Sequence, residues 1–323
     1  MFSFNLNALD MRERPVLYIW FMLALLMGAS AALAAPVEQS FQYAGAKRHY
    51  LVSLPPGYSD RTQCPLILVF HGGGGNPEQV LKSTDMADRA AREGWILVAP
   101  AGSGRLNRLL TWNVGFGFGY AMSAGVDDIG FVRRLIEVLQ TAYRIDPDRI
   151  YATGISNGGI LCHMLAGHLS DRIAAIAPIV ATAGGRAEGR AQWLHPPDPK
   201  HPVAVISFNG ALDQSIPLAG GLQQRSWAEP VEVWSAQQTI DFWVRHNRCK
   251  PDPVVERNDA AQFERTTYSG GTGGNEVVQV VLLNQGHAWP GGSKGYRQGD
   301  EPTRLVSAND LMFEFFKRHP RRR

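Results

Sequence analysis

Short, largely apolar runs of strand length recur along the chain, several with glycine or proline at or near their ends. Residues 65–70 read Pro-Leu-Ile-Leu-Val-Phe and residues 95–99 read Trp-Ile-Leu-Val-Ala; further runs fall at 149–154, 173–180 and 203–208, with 277–283 as the last. Runs of this length without polar alternation fit strands buried on both faces of a parallel sheet. Residues 40–54 differ and read as two strands around an Ala44-Gly45 turn. The intervening segments carry helical spacing. Asp127 caps a helix in which Ile129, Val132, Ile136 and Leu139 recur on one face, and the stretch is expected to stop near Asp146-Pro147. Residues 76–93, 157–169, 235–247 and 307–318 read as the other helices. Strand and helix in alternation predict an α/β fold with a mostly parallel central sheet and helices on both faces. The proline-rich stretch 195–202 is too short to link two domains and reads as a loop.

The amino terminus breaks this pattern. Arg12 and Arg14 precede an uncharged run over 15–36 that ends in Ala32-Leu33-Ala34. A charged start, an apolar centre and an A-x-A exit predict a signal peptide over 1–34, leaving one catalytic domain over 35–323 and a secreted or periplasmic location. The run approaches the roughly 20 residues that span a bilayer, so an uncleaved membrane anchor is the alternative. Composition supports a globular domain, with 45% hydrophobic and 19% charged residues. The net charge of +3 is carried by Lys317, Arg318, Arg321, Arg322 and Arg323, without which it becomes −2. The body therefore has no basic character, nucleic-acid binding is not expected, and the tail reads as a solvated, frayed end. Of the three cysteines, Cys162 falls inside a helix and reads as a small buried hydrophobe, while Cys64 and Cys249 are possible partners. No CxxC or His-Cys cluster points to a metal.

Chemistry concentrates at Gly154-Ile155-Ser156-Asn157-Gly158, a G-x-S-x-G pattern lying after a predicted strand and before a predicted helix. That context predicts a sharp turn presenting the Ser156 hydroxyl above the sheet, the nucleophile elbow of an α/β-hydrolase fold. A chance serine in a glycine turn is the bland alternative. Phe70-His71-Gly72-Gly73-Gly74-Gly75 resembles an HGGG oxyanion segment, with the amides of Gly73 and Asn157 as candidate oxyanion donors and His71 as a structural brace. A phosphate cradle is disfavoured because no Gly-Lys-Ser/Thr follows. In this fold the order is Ser, acid, His. His287 follows the last predicted strand inside a Gly/Pro-rich loop, and Asp213 follows the strand before it. Asp213 would orient His287 through Nδ1–H, and His287 would activate Ser156. Asp241 and Asp300 are poorer candidates for the acid, one inside a helix and one after the histidine. Trp112, Phe116 and Trp289 are candidates for substrate binding, with Phe118 and Tyr120 beside them, although each read alone also fits ordinary packing.

The segments Phe70–Gly74, Trp112-Asn113, Val126–Phe131, Gly154–Gly159, Asn209–Pro217 and Gly286–Gly292, in this order, resemble the polyhydroxybutyrate depolymerase and feruloyl-esterase-like proteins, relatives of carbohydrate esterase family 1. The resemblance implies a serine esterase with triad roles for Ser156, Asp213 and His287. It also implies no cofactor and no metal, an ester substrate such as a polyester oligomer or a plant polysaccharide ester, and no obligate protein partner. Phe116-Gly117-Phe118-Gly119 stands where family members often carry a cysteine pair, and Tyr268-Ser269-Gly270-Gly271 lacks a further family cysteine, which leaves the family's disulfides and substrate preference open here. A serine peptidase or other acyl hydrolase of the same fold, and a non-catalytic binding protein, are the competing readings.

Overall fold

The computed structural model describes residues 35–225, 228–297 and 299–322. The expected leader, 1–34, lies outside the described residues. Among those described, no helix is long and apolar enough to cross a membrane.

Ten strands form one sheet. They are β1 (Val37–Tyr43), β2 (Ala46–Ser53), β3 (Cys64–Phe70), β4 (Ile96–Pro100), β5 (Ile145–Ile155), β6 (Ala175–Ile179), β8 (Ala204–Gly210), β11 (Val254–Asn258), β12 (Phe263–Tyr268) and β13 (Val277–Leu282), ordered β1-β2-β4-β3-β5-β6-β8-β13-β12-β11. The six central strands, from β4 across to β13, pair in parallel, while β1-β2 and β12-β11 extend the two edges in antiparallel fashion. Three further strands, β7 (Gly185–Ala187), β9 (Gly221–Arg225) and β10 (Ala228–Val233), make a separate small antiparallel sheet ordered β7-β10-β9.

Successive residues of a strand point to opposite faces, and the core divides accordingly. Leu66, Leu68, Phe70, Ile150, Ala152, Ile176 and Val205 face one side, where α4 (Asp128–Ala142), α5 (Asn157–His168) and α6 (Ala236–Asn247) pack. Ile67, Val69, Tyr151, Ala175, Ala177 and Ile206 face the other, against α1 (Pro77–Thr84), α2 (Met86–Glu93) and α7 (Ala308–Arg318). A short helix, α3 (Tyr120–Ser123), lies in the loop before α4. The predicted α/β-hydrolase arrangement is the observed one.

Three details depart from the sequence reading. The helix expected over 76–93 is two helices, because Asp85 sits in the left-handed region at φ 53° and closes α1 while opening α2. Aspartate tolerates that conformation better than most residues. The helix opened by Asp127 stops at Ala142, not near Asp146. Asp146-Pro147 instead enters β5 at a register shift, where the Asp146 carboxylate accepts the Asp148 N–H at 3.0 Å and Arg149 Nε–H at 2.6 Å. Proline is tolerated in a strand at such an irregularity. The basic tail is also not frayed up to Arg321, whose N–H donates to the Asp148 carbonyl at 2.7 Å and whose guanidinium pairs with the Asp148 carboxylate at 2.9 Å. All three cysteines are free, so Cys64 and Cys249 are not bridged. Cys162 is fully buried, and burial pushes its thiol pKa up.

Candidate active site

The residues singled out for chemistry gather at the carboxyl-terminal ends of the central strands. Ser156 ends β5 and begins α5 with φ 56° and ψ −122°, a strained backbone for a non-glycine residue. The tight turn is enforced by its neighbours. A Cβ at Gly158 would stand 2.5 Å from the His71 carbonyl oxygen and 2.6 Å from that of Phe70, and a Cβ at Gly154 would stand 2.7 Å from Gly158 itself. These obstacles are backbone and cannot swing away, so glycine at both positions lets α5 start directly against β3. The start of α5 brings unpaired amide N–H groups and a partial positive charge to the same place.

Asn157 is the first helical residue, so its amide has no intrahelical partner. Its side chain is a two-point clamp: Oδ1 accepts the Trp112 N–H at 2.7 Å and Nδ2 donates to the Trp112 carbonyl at 3.2 Å. In the glycine segment, the Gly74 N–H donates to Leu110 at 2.8 Å and the Gly75 N–H to Gly72 at 3.0 Å, whereas the Gly73 N–H makes no hydrogen bond among the described residues. Phe118 covers Gly73, where a Cβ would stand 2.7 Å from the ring and 3.6 Å from the Asn157 Cβ. His71 holds the segment from below. Its Nδ1–H donates to the Gly72 carbonyl at 2.8 Å and its Nε2 accepts the Gly102 N–H at 3.0 Å, and burial lowers its pKa to about 4.

Asp213 and His287 are joined. Nδ1 of His287 donates to Asp213 Oδ2 at 2.7 Å, with the carboxylate side chain fully buried and the imidazole 11% exposed. The other carboxylate oxygen accepts the N–H groups of Ser215 at 2.7 Å and Ile216 at 2.9 Å, which fixes the carboxylate plane. Asp213 follows β8 and His287 follows β13, adjacent strands in the sheet. No hydrogen bond links the Ser156 hydroxyl to His287 in this structure. A pocket opens at Ser156, enclosing about 480 Å³ of space that includes open solvent, and is lined by Phe116, Gly117, Phe118, Ser156, Asn157, Ile160, Ile216, Gln223, Val231 and Val233.

Of the three aromatic residues expected to bind substrate, only Phe116 lines this pocket. Trp112 is fully buried beneath it, with Nε1–H donating to the His71 carbonyl at 3.0 Å. Trp289 is buried against α7 and its Nε1–H donates to Asn309 at 2.9 Å. Each indole has its one donor satisfied inside the fold and serves as a support. The hairpin β9–β10 supplies Gln223, Val231 and Val233, none of which the sequence reading proposed; the Val231-x-Val233 alternation is the signal that marks an inward-facing strand.

The Val126-Asp127-Asp128 segment acts indirectly. Asp127 caps α4 through the Gly130 N–H at 2.9 Å and accepts the Tyr43 hydroxyl at 2.7 Å. Asp128 is buried, pairs with Arg48 at 2.7 Å and accepts the Asn113 N–H at 2.8 Å, so it anchors the strand of loop that Asn157 clamps. Burial pushes the Asp128 carboxyl pKa up, and the Arg48 guanidinium opposes that rise. Removing one partner of such a pair leaves an uncompensated charge. Arg48→Met is therefore expected to lower stability by about 3 kcal/mol in denaturant melts. Adding Asp128→Asn, which removes the charge but keeps an acceptor for Asn113, should regain most of that loss. A single variant as stable as the parent contradicts this account.

Comparison with known proteins fits this geometry. Residues 48–192 match the family described as Esterase PHB depolymerase; the match covers Gly73, Ser156 and Asn157 and ends before Asp213 and His287. The chain is 26% identical over 256 residues to feruloyl esterase B of Piromyces equi, covering 77% of this chain and 44% of that protein, so it spans less than half of that relative's length. It is 25% identical over 275 residues to feruloyl esterase D of Neurospora crassa, covering 85% of this chain and 83% of that protein. The solved acetyl xylan esterase from Aspergillus awamori superposes with a TM-score of 0.57 at 12% identity, over 87% of this chain and 99% of that one, a likeness of fold. Together with the observed architecture, these findings show an α/β-hydrolase fold and a chain similar to the feruloyl esterases and to the family described as Esterase PHB depolymerase.

Proposed function

We propose that the protein is an exported serine esterase working through an acyl-enzyme, with Ser156 as nucleophile, His287 as general base and Asp213 as the acid behind it. The observation that carries this reading is the 2.7 Å hydrogen bond between His287 and Asp213, at the sheet edge where Ser156 occupies its strained turn. The Ser156 Oγ attacks the ester carbonyl and its proton passes to Nε2 of His287, while Asp213 holds the Nδ1–H tautomer and stabilises the imidazolium. The amides of Gly73 and Asn157 receive the oxyanion, each such donor contributing about 3 kcal/mol to the transition state. The imidazolium gives its proton to the departing alcohol, and water activated by His287 then releases the acid. The Ser156–His287 hydrogen bond forms in the complex with substrate, since such contacts tighten on binding.

The pocket wall of Phe116, Phe118, Ile160, Ile216, Val231 and Val233 suits an apolar acyl or aryl group, with Gln223 as a polar contact within it. Together with the similarity to feruloyl esterases and to the family described as Esterase PHB depolymerase, this supports esters of a plant polysaccharide or short polyester segments as substrates. Export rests on the leader expected over 1–34, with 35–323 as a single catalytic domain. A fluorophosphonate probe is expected to label the purified protein and not its Ser156→Ala variant. The protein should also hydrolyse p-nitrophenyl acetate and butyrate, and methyl ferulate, without cleaving aminoacyl-anilides. Anilide cleavage without ester cleavage, or no labelling at all, rejects the proposal.

A further inference from the structure

His287 is held by two carboxylates. Asp213 takes the ring, and Asp300 takes the main chain, its Oδ2 accepting the His287 N–H at 2.6 Å. This second contact exists because residue 286 is glycine: a Cβ there would overlap the Asp300 carboxylate. Gly286 is not in the positive-φ region, so its backbone makes no demand for glycine, and the space left by the missing side chain is the space the carboxylate fills. The surrounding segment is stitched to the same loop. The buried Gln285 side chain accepts the Thr303 N–H at 2.8 Å and donates to the Ala288 carbonyl at 3.0 Å, and the Gly291 N–H donates to Thr303 at 2.8 Å. Of these ties, only Asp300 reaches the residue that carries the imidazole.

We propose that Asp300 is a positioning residue for ester hydrolysis, fixing the backbone of His287 so that Asp213 can aim its ring. The inference rests on the reading of His287 as the base. The loop contains Gly286, Gly291 and Gly292, which allow it wide conformational freedom. The ties at Gln285 and Gly291 flank His287 on either side, and between them Asp300 is the contact that fixes the His287 main chain itself. A displacement of about 1 Å at a reacting group can lower a rate by roughly a hundredfold.

The test compares Asp300→Ala, Asp300→Asn, Gly286→Ala, the Asp300→Ala/Gly286→Ala double variant and His287→Ala, by kcat and KM on p-nitrophenyl butyrate with a thermal melt of each. Asp300→Ala and Gly286→Ala are each expected to lower kcat at least about tenfold with KM within about twofold of the parent. The double variant should be no worse than Asp300→Ala, because both substitutions remove one contact. Asp300→Asn keeps an acceptor oxygen and should hold kcat within about threefold of the parent. Asp300→Ala at parental kcat, additive losses in the double variant, or Asp300→Asn as impaired as Asp300→Ala overturns the proposal. An active His287→Ala would instead overturn the reading of the base, which separates the two failures.

Discussion

Ser156→Ala is expected to lower kcat for p-nitrophenyl butyrate by about 10⁵-fold or more, with the melting temperature little changed. The hydroxyl makes no hydrogen bond among the described residues, so its removal leaves no partner unsatisfied. The backbone at φ 56° strains alanine as it strains serine, so the turn persists. The glycines that hold it, Gly154 and Gly158, are untouched. Activity is not expected to fall to the uncatalysed rate, because the proposed oxyanion amides of Gly73 and Asn157 and a bound substrate would still favour attack by water, leaving roughly 10³-fold over the solution reaction. His287→Ala should lose about as much, and the double variant little more, since the two side chains act as one unit. Active-site titration with a fluorophosphonate excludes contamination by parental enzyme. A Ser156→Ala preparation retaining more than about one per cent of kcat, on a scale where such losses run to 10⁵, would remove Ser156 from the mechanism.

The readable parts of this chain were those whose local pattern matches their final environment. The strands β3, β4, β6, β8 and β13 are buried on both faces and stand out as bare apolar runs, and the elbow at Ser156 is marked by glycines that backbone contacts require. Asp213 and His287 were placed by chain order and strand ends, which a sheet of this topology converts into proximity. The edge hairpin β11–β12 left no such mark, since every residue of β11 is exposed and every residue of β12 is half-buried. Trp112 and Trp289 carry the ambiguity of any indole, a large apolar body with one donor, and only the identity of the acceptor (His71 and Asn309) shows that both face inward. In the sequence Asp300 competes with Asp213 only as an acid that follows the histidine. Its actual partner is a backbone N–H, a group that every residue but proline carries and that no side-chain pattern announces.

Acid should unfold this protein through two histidines outside the proposed triad. His71 and His163 are both buried, and burial lowers their pKa values to about 4 and about 3 from an ordinary 6.5. Each is locked neutral by its contacts. His71 uses Nε2 to accept the Gly102 N–H, and His163 uses Nδ1 to accept the Trp243 indole N–H at 3.0 Å, so a second ring proton would set donor against donor. Above pH 6.5 both rings are neutral in the folded and unfolded chains and stability is unaffected by either. Below it the unfolded chain binds protons that the folded chain refuses, so stability falls with pH until the folded values are reached. At about 1.4 kcal/mol per unit for each ring, the pair should remove about 4 kcal/mol between pH 7 and pH 5. His163→Asn, which keeps an oxygen for Trp243 but cannot titrate, should roughly halve that slope in urea melts whatever it does to the plateau at pH 7. A parental slope in the variant would refute the assignment. For His71 the consequence is also catalytic. Its protonation breaks the bond to Gly102 beneath the segment that carries Gly73, so activity lost in acid should be regained on neutralisation only while that segment can refold around a neutral ring.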